Sequence, residues 1–423
     1  MQISFASDPI PAKKQDRPIA LVGGTIHTVS GPVIENGTVL FDNGIIVGIG
    51  KDVQIPSQAE RIDVSGHQLY PGLINAASEI GLTEIEAVRA TLDINETGKF
   101  NPNVRTEIAI NPESELIPTT RANGIAIVHV IPRGGVISGR TSAILLDGWT
   151  NEEMTLAAPV GLYVNWPSMT VSRSRFVRQS EEEQKKAIAK NLEDLRMAFA
   201  DARAYAKTKT ADPQRHRTDI RWEAMRLLFE RKIPLIVGAN DMQQIRSAVQ
   251  FARDENIRLI IHGGRDAWKL TDLLKENNVP VIVSGTHQLP ARREDRYDAP
   301  FSLPKKLFDA GILIAIAGEG NAAMNERNIG YQAATAAAYG LPKDEALRAV
   351  TINAATILGI DTRAGSLEVG KDATIIVCDG DPLEIMTAVK MQFIAGKKID
   401  LRSKHTQLWM KYTEKYRQLG KTR

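Results

Sequence analysis

The sequence has little cysteine, little charge imbalance and no long apolar run, and each absence excludes a class of protein. Cys378 is the only cysteine among 423 residues, so no intrachain disulfide can form and cysteine-rich zinc modules are excluded. Because 53 Lys and Arg residues face 50 Asp and Glu residues, the net charge of +3 predicts no nucleic-acid, membrane or polyanionic partner. No apolar run reaches the roughly 18–20 residues of a membrane span.

The composition is that of a folded chain. Hydrophobic residues make up 43% of the sequence and charged residues 24%, which excludes disorder as the main state. Residues 1–18 show no basic segment followed by an apolar segment, so they do not form an intact signal peptide. We expect a soluble protein that binds a small molecule, located in the cytoplasm or, after removal of a signal, in the periplasm. Whether it forms a homo-oligomer is open.

Two β-rich segments lie near the two ends of the chain. Residues 18–69 consist of short apolar runs between glycine turns, and the Asn43-Gly44 step predicts a hairpin. The same texture returns in residues 361–402, so we predict one β-sandwich domain built from both chain ends. We expect residues 1–17 to form a flexible arm, and residues 403–423 to form a helix docked on the body, with a partner-binding helix as the alternative. That helix carries apolar residues at helical spacing: Leu408, Tyr412, Tyr416 and Leu419.

Residues 70–360 alternate strand-like runs with helical segments. This pattern predicts an α/β fold with strands and helices wound into a (β/α)₈ barrel around a parallel sheet. The visible strand candidates are Leu69–Ile74, Gly124–Ile131, Val160–Val164, Ile233–Val237, Arg258–His262, Val279–Val283 and Ile312–Ala317. We place the remaining strand between Val164 and Ile233. A helix is predicted to begin at Ser180, because Ser180 and Glu183 have the spacing of a capping box.

Three stretches resemble the amidohydrolase superfamily, in particular its branch related to imidazolonepropionase. They are the opening strand, residues 21–26; residues 70–81, which read Tyr-Pro-Gly-Leu-Ile-Asn-Ala-Ala-Ser-Glu-Ile-Gly; and residues 351–383, where the barrel returns to the sandwich. The resemblance extends over nearly the whole chain. It implies a barrel with a composite β-sandwich, and a metal-activated water that hydrolyses carbon–nitrogen bonds.

The metal ligands that this resemblance implies are mostly replaced. The His-x-His pair of the first barrel strand falls on Ala77 and Glu79, and the histidine of the fifth strand falls on Gly238. The histidine of the sixth strand is kept as His262, and Glu319 stands where the family has an aspartate. The resemblance therefore implies at most one divalent ion, zinc, on His262 and Glu319 with Glu79 as a third donor, or no metal at all.

Three functions stay open from these residues. The first is a hydrolase of carbon–nitrogen bonds other than peptide bonds, with Glu319 as base and with Glu79 and His262 in the catalytic site. The second is a catalytically silent homologue that binds a small ligand or pairs with an active relative. The third is metal-free hydrolysis in which Glu79 and Glu319 act as an acid and base pair.

Four further residues are candidates for contact with the substrate. His129 lies on the second barrel strand, where a histidine is more often a hydrogen-bonded core residue than a ligand. His287 follows the seventh strand in a loop. Arg133 and Arg140 flank a glycine-rich segment whose backbone N–H groups, together with either guanidinium, could bind a substrate carboxylate.

Overall fold

The computed structural model describes residues 10–172, 177–318 and 323–421. Its strands are β1 (Ile19–Ile26), β2 (Ile34–Asp42), β3 (Ile45–Gly50), β4 (Glu60–Asp63), β5 (Gln68–Pro71), β6 (Leu73–Ser78), β7 (Ile125–Val130), β8 (Ile137–Leu145), β9 (Thr155–Asn165), β10 (Leu235–Ala239), β11 (Leu259–Gly263), β12 (Val281–Val283), β13 (Ile314–Ile316), β14 (Ile375–Cys378), β15 (Val389–Ile394) and β16 (Lys397–Lys398).

Helices connect and cover these strands. The α-helices are α1 (Thr106–Ala109), α2 (Leu116–Arg121), α3 (Asn151–Met154), α4 (Glu181–Ala211), α5 (Ile220–Phe229), α6 (Met242–Asp254), α7 (Thr271–Glu276), α8 (Ala299–Asp309), α9 (Ile329–Ala338), α10 (Lys343–Ala349), α11 (Ile352–Leu358) and α12 (Lys404–Gln418). Short 3₁₀ helices lie at Arg89–Thr91, Ala267–Lys269 and Ala323–Asn328. Among the residues described, no helix has the length and apolarity that crossing a membrane requires.

The first sheet joins the two ends of the chain, as the sequence predicted. Its order is β16-β15-β14-β5-β1-β2-β3, with β4 paired to β1, and Tyr70 of β5 lies opposite Ile376 of β14. Its side chains enclose a small separate core that includes Phe41 and Phe393. The predicted hairpin is present between β2 and β3, where Asn43 and Gly44 both have positive φ, as a type I′ turn requires.

The second sheet is the barrel. Its order is β6 through β13 in sequence, and β13 also contacts β6, so the sheet is nearly closed. Six of the seven visible strand candidates fall on barrel strands, whereas Leu69–Ile74 spans the end of β5 and the start of β6. The position predicted for the remaining strand is wrong. Residues 165–233 hold helices α4 and α5, and α4 begins after the predicted Ser180 and Glu183 capping box.

The remaining barrel strand is β8, and it departs from the parallel pattern. It pairs antiparallel with both β7 and β9. A parallel crossover needs about a dozen or more residues, whereas residues 131–136 leave room only for a hairpin between β7 and β8. The barrel therefore contains a three-stranded antiparallel segment in place of two strand–helix units.

The C-terminal helix forms after Ser403, as predicted, but its apolar face is not buried against the body. None of the residues of α12 is buried, and the exposed fraction is 69% for Trp409 and 51% for Tyr416. A 2.6 Å contact between Arg327 Nη1 and His405 Nδ1 links the start of the helix to the barrel. The stripe that the sequence assigned to the body therefore faces solvent.

Removal of α12 is expected to change stability little. A chain that ends at Ser403 should keep its free energy of unfolding within about 1 kcal/mol of the full chain, because no buried side chain is lost. Denaturant titration of the two proteins checks this. A loss of several kcal/mol would show that the helix packs on the body in solution.

Candidate functional site

A cavity of about 740 Å³ opens at the carboxyl ends of the barrel strands. Side chains from the ends of β6, β9 and β11 line it, and this is the end at which barrel enzymes place their active sites. The size suits a small organic molecule. The lining residues with chemical function are Glu79, Arg133, Tyr163, His262 and Glu326.

Glu326 is a buried carboxyl group held by donors from the first barrel strand. Its Oε2 accepts hydrogen bonds from Asn75 Nδ2 at 2.9 Å and from Ser78 Oγ, and its Oε1 accepts the backbone N–H of Glu79 at 2.9 Å. Burial raises the pKa of Glu326 to about 8, against the opposing effect of the hydrogen bonds from Ser78 and Asn75. At neutral pH the group is mainly protonated and can donate a proton.

The orientation of Asn75 is fixed by the backbone around it. Its Oδ1 accepts the N–H of Gly318 at 2.9 Å and that of Ala77 at 3.3 Å. The amide NH₂ must therefore face Glu326, and it remains a donor to that carboxyl group in either protonation state.

His262 presents an unused nitrogen. Its Nδ1 lies 2.8 Å from the hydroxyl of Tyr163, whereas its Nε2 is buried and has no hydrogen-bond partner within the described parts of the chain. Burial lowers the pKa of His262 to about 4 and raises that of Tyr163 to about 12, so both groups are neutral at neutral pH. The Nε2 atom is therefore available to a ligand.

Glu79 and Arg133 form an ion pair at the wall of the cavity. The side chain of Glu79 is 12% exposed and that of Arg133 is 39% exposed. Arg133 lies on the hairpin between β7 and β8, so the antiparallel strand brings this guanidinium to the site. Burial lowers the pKa of Arg133, and a guanidinium stays charged at neutral pH even so.

Other predicted site residues lie away from the cavity. His129 is in the core, where its Nδ1 contacts Ala76 O at 2.8 Å and its Nε2 contacts Thr141 Oγ1 at 2.7 Å. Both nitrogens are used by the protein, and burial lowers the pKa of His129 to about 4.

The remaining candidates are also apart from the cavity lining. His287 is exposed and bonds to Thr335 Oγ1 at 2.7 Å, and Arg140 contacts Asn103 O at 3.4 Å. Of the four candidates for substrate contact, the structure brings only Arg133 to the cavity. Glu319 lies outside the described residues.

The chain is similar to known proteins in sequence and in fold. A model of the Amidohydrolase family matches residues 272–399. Imidazolonepropionase from Treponema denticola is 22% identical over 83% of this chain and 87% of that protein. The crystal structure of an amidohydrolase from Thermotoga maritima superposes with a TM-score of 0.79 at 26% identity, over 91% of this chain and 100% of that one. These matches support the amidohydrolase superfamily.

A longer relative matches most of this chain. Amidohydrolase tasK from Hapsidospora irregularis is 23% identical over 85% of the chain. The match spans 39% of the length of tasK, so this chain corresponds to only a part of that protein.

The zinc ligands that the superfamily resemblance implied can be compared with the groups present. Ala77 offers no donor, and Glu79 is paired with Arg133. A Cβ atom at Gly238 would lie 2.7 Å from the hydroxyl of Tyr163, so Tyr163 occupies the space of a side chain there. Among the described residues, no three His, Cys, Asp or Glu side chains are grouped so that they could hold a metal ion. These residues do not fit the zinc centre.

Sequence reasoning missed four residues of this amidohydrolase-like site. Asn75 and Ser78 lie inside the quoted strand motif, but the motif directed attention to the ligand positions at 77 and 79. Tyr163 lies on a strand that was correctly predicted, yet no pattern marked its hydroxyl. Glu326 lies on a short 3₁₀ helix outside any motif, and only the fold brings it to β6.

Proposed function

We propose that the protein is a hydrolase that cleaves a carbon–nitrogen bond, other than a peptide bond, in a small molecule. One observation carries the proposal: Glu326 and His262 line the same cavity, and burial moves their pKa values in opposite directions. Between pH 4 and pH 8 the site therefore holds a protonated carboxyl group and a neutral imidazole, which are the two states that an acid and base pair needs.

His262 acts as the base in this proposal. If Nδ1–H donates to Tyr163 Oη, the lone pair of Nε2 faces the cavity and accepts a proton from water. The water oxygen then bonds to the carbon of the scissile C–N group. The negative charge that develops on the substrate oxygen is stabilised by the guanidinium of Arg133.

Glu326 acts as the acid. It gives its proton to the leaving nitrogen as the C–N bond breaks, which releases an amine and a carboxylic acid or its equivalent. The proton on His262 passes back to the Glu326 carboxylate through solvent, and the starting states are restored. No step uses a group outside this chain and the water.

A second candidate function is a catalytically silent homologue that binds a small ligand in the same cavity. The observation that favours it is the use of former ligand positions for internal contacts, since Glu79 pairs with Arg133 and Tyr163 fills the space at Gly238. Such a protein would bind a small molecule without turnover.

The test is a hydrolysis screen with acyclic and cyclic amides and ureido compounds, followed by variants on the best substrate. Glu326→Gln and His262→Ala should each lower kcat/KM by at least about 100-fold, because each removes a proton-transfer group. The kcat/KM profile should fall below about pH 4, where His262 is protonated, and above about pH 8, where Glu326 loses its proton.

His67→Ala and Glu193→Gln are the matched controls, because neither residue lines the cavity; Glu193 is exposed and His67 is half-buried. Turnover that survives in both site variants would contradict the proposal. Ligand binding without turnover by the unmodified protein would favour the silent homologue.

A further inference from the structure

We infer that a cluster made only of protein groups has replaced the metal centre of the superfamily in this chain. The cluster consists of the Glu79–Arg133 ion pair and the Tyr163–His262 hydrogen bond. The inference concerns metal binding and stability, and it holds whether or not the protein turns over a substrate.

The Glu79–Arg133 ion pair occupies one of the implied ligand positions. Glu79 stands at a metal-ligand position of the first barrel strand, but its carboxylate already has a cationic partner in Arg133. A divalent ion that approached Glu79 would have to displace the guanidinium and would be repelled by it. Because the side chain of Glu79 is only 12% exposed, this competition takes place with weak screening by solvent.

The Tyr163–His262 hydrogen bond occupies the space of a second ligand position. The Tyr163 hydroxyl lies 2.8 Å from His262 Nδ1, and a Cβ atom at position 238 would lie 2.7 Å from the same hydroxyl. An imidazole at position 238 is therefore incompatible with Tyr163 in its present place. A neutral phenol thus takes the space that an imidazole at position 238 would need.

Among the described residues at the ligand positions, one nitrogen is left without a partner. The Nε2 of His262 is buried, lies in the cavity lining and has no partner within the described residues. A catalytic zinc ion is typically held by three protein ligands, so this nitrogen alone does not make a site.

Metal analysis of the full chain tests the inference directly. The protein is produced without a polyhistidine tag in medium with added zinc, dialysed against metal-free buffer and measured by elemental analysis. We expect less than about 0.1 zinc, manganese, iron or nickel per chain, since a catalytic site would keep about one ion. The melting temperature should not change with added Zn²⁺ or with a chelator. Near-stoichiometric metal, or a chelator-dependent loss of stability, would overturn the inference.

Two variants test whether Arg133 is the cation of the cluster. Arg133→Met should lower the melting temperature, because Glu79 loses its partner in a partly buried site, and Arg133→Lys should recover part of the loss by restoring the charge. Equal melting temperatures for Arg133→Met and the unmodified protein would overturn the role of the ion pair. These measurements use no substrate, so a failed hydrolysis screen leaves their outcome unaffected.

Discussion

Asp147→Ala is expected to lower the free energy of unfolding by about 3–5 kcal/mol, because it removes the carboxylate that pairs with the buried Arg121 and the partly buried Lys397. Asp147 is 1% exposed and Arg121 is 3% exposed. One carboxylate oxygen accepts Arg121 Nη1 at 3.0 Å and the N–H of Ala12 at 3.2 Å, and the other accepts Lys397 Nζ at 2.6 Å. The group thus ties the N-terminal segment, helix α2 and strand β16 together, and denaturant titration measures its contribution.

The control for this variant is Asp16→Ala. Asp16 also forms an ion pair, with Arg17 at 3.1 Å, but both side chains are more than half exposed. Exposed pairs contribute about 0–1 kcal/mol, so this change should be small. A loss below about 1 kcal/mol for Asp147→Ala would show that the buried cations find other partners or water.

Stability is expected to fall as the pH rises from about 5 to about 8, owing to Glu326. Its pKa of about 8 in the folded protein lies above the ordinary value of 4.5. The folded state therefore holds a proton that the unfolded state has released over this range, and each pH unit costs about 1.4 kcal/mol. The slope flattens near the two pKa values, so Glu326 alone should account for a loss of about 3.5 kcal/mol, to be measured by denaturant titration at several pH values.

The Glu326→Gln variant measures the contribution of Glu326 to the pH dependence of stability. A glutamine has one oxygen, so its NH₂ must face a donor, either the fixed amide of Asn75 or the N–H of Glu79. The variant should therefore be less stable than the unmodified protein at pH 5, by about the 1–3 kcal/mol of one unsatisfied buried group. It should be more stable at pH 8, where no charge is buried. Stability curves of the variant and the unmodified protein that run parallel would show that Glu326 does not hold the proton.

The parts of the fold that the sequence predicted are those that local chemistry determines. The Asn43-Gly44 turn needs residues that tolerate positive φ, and the Ser180 cap needs an acceptor at a fixed spacing from its partner. Strand β8 was missed because its run contains Gly139 and Arg140, which weaken the apolar pattern, and because a repeated strand–helix unit was expected. Its antiparallel pairing follows from the short connection before it.

The site was harder to predict than the fold. Ala77, Glu79, Gly238 and His262 could be placed because the resemblance gave their positions, and all four line the cavity. Glu326 could not be found, because its effect depends on burial and on contacts with a strand about 250 residues earlier in the chain. Nothing in a linear pattern reports the solvation of a carboxyl group.

The pairing of β5 with β14 also constrains how the protein is made. These strands lie side by side, with Tyr70 opposite Ile376, yet about 300 residues of synthesis separate them, or roughly 15–60 s at ordinary translation rates. During that time the nascent chain carries an unpaired edge on its N-terminal strands. We therefore expect newly made chains to depend on chaperones that shield this edge until the C-terminal strands emerge from the ribosome.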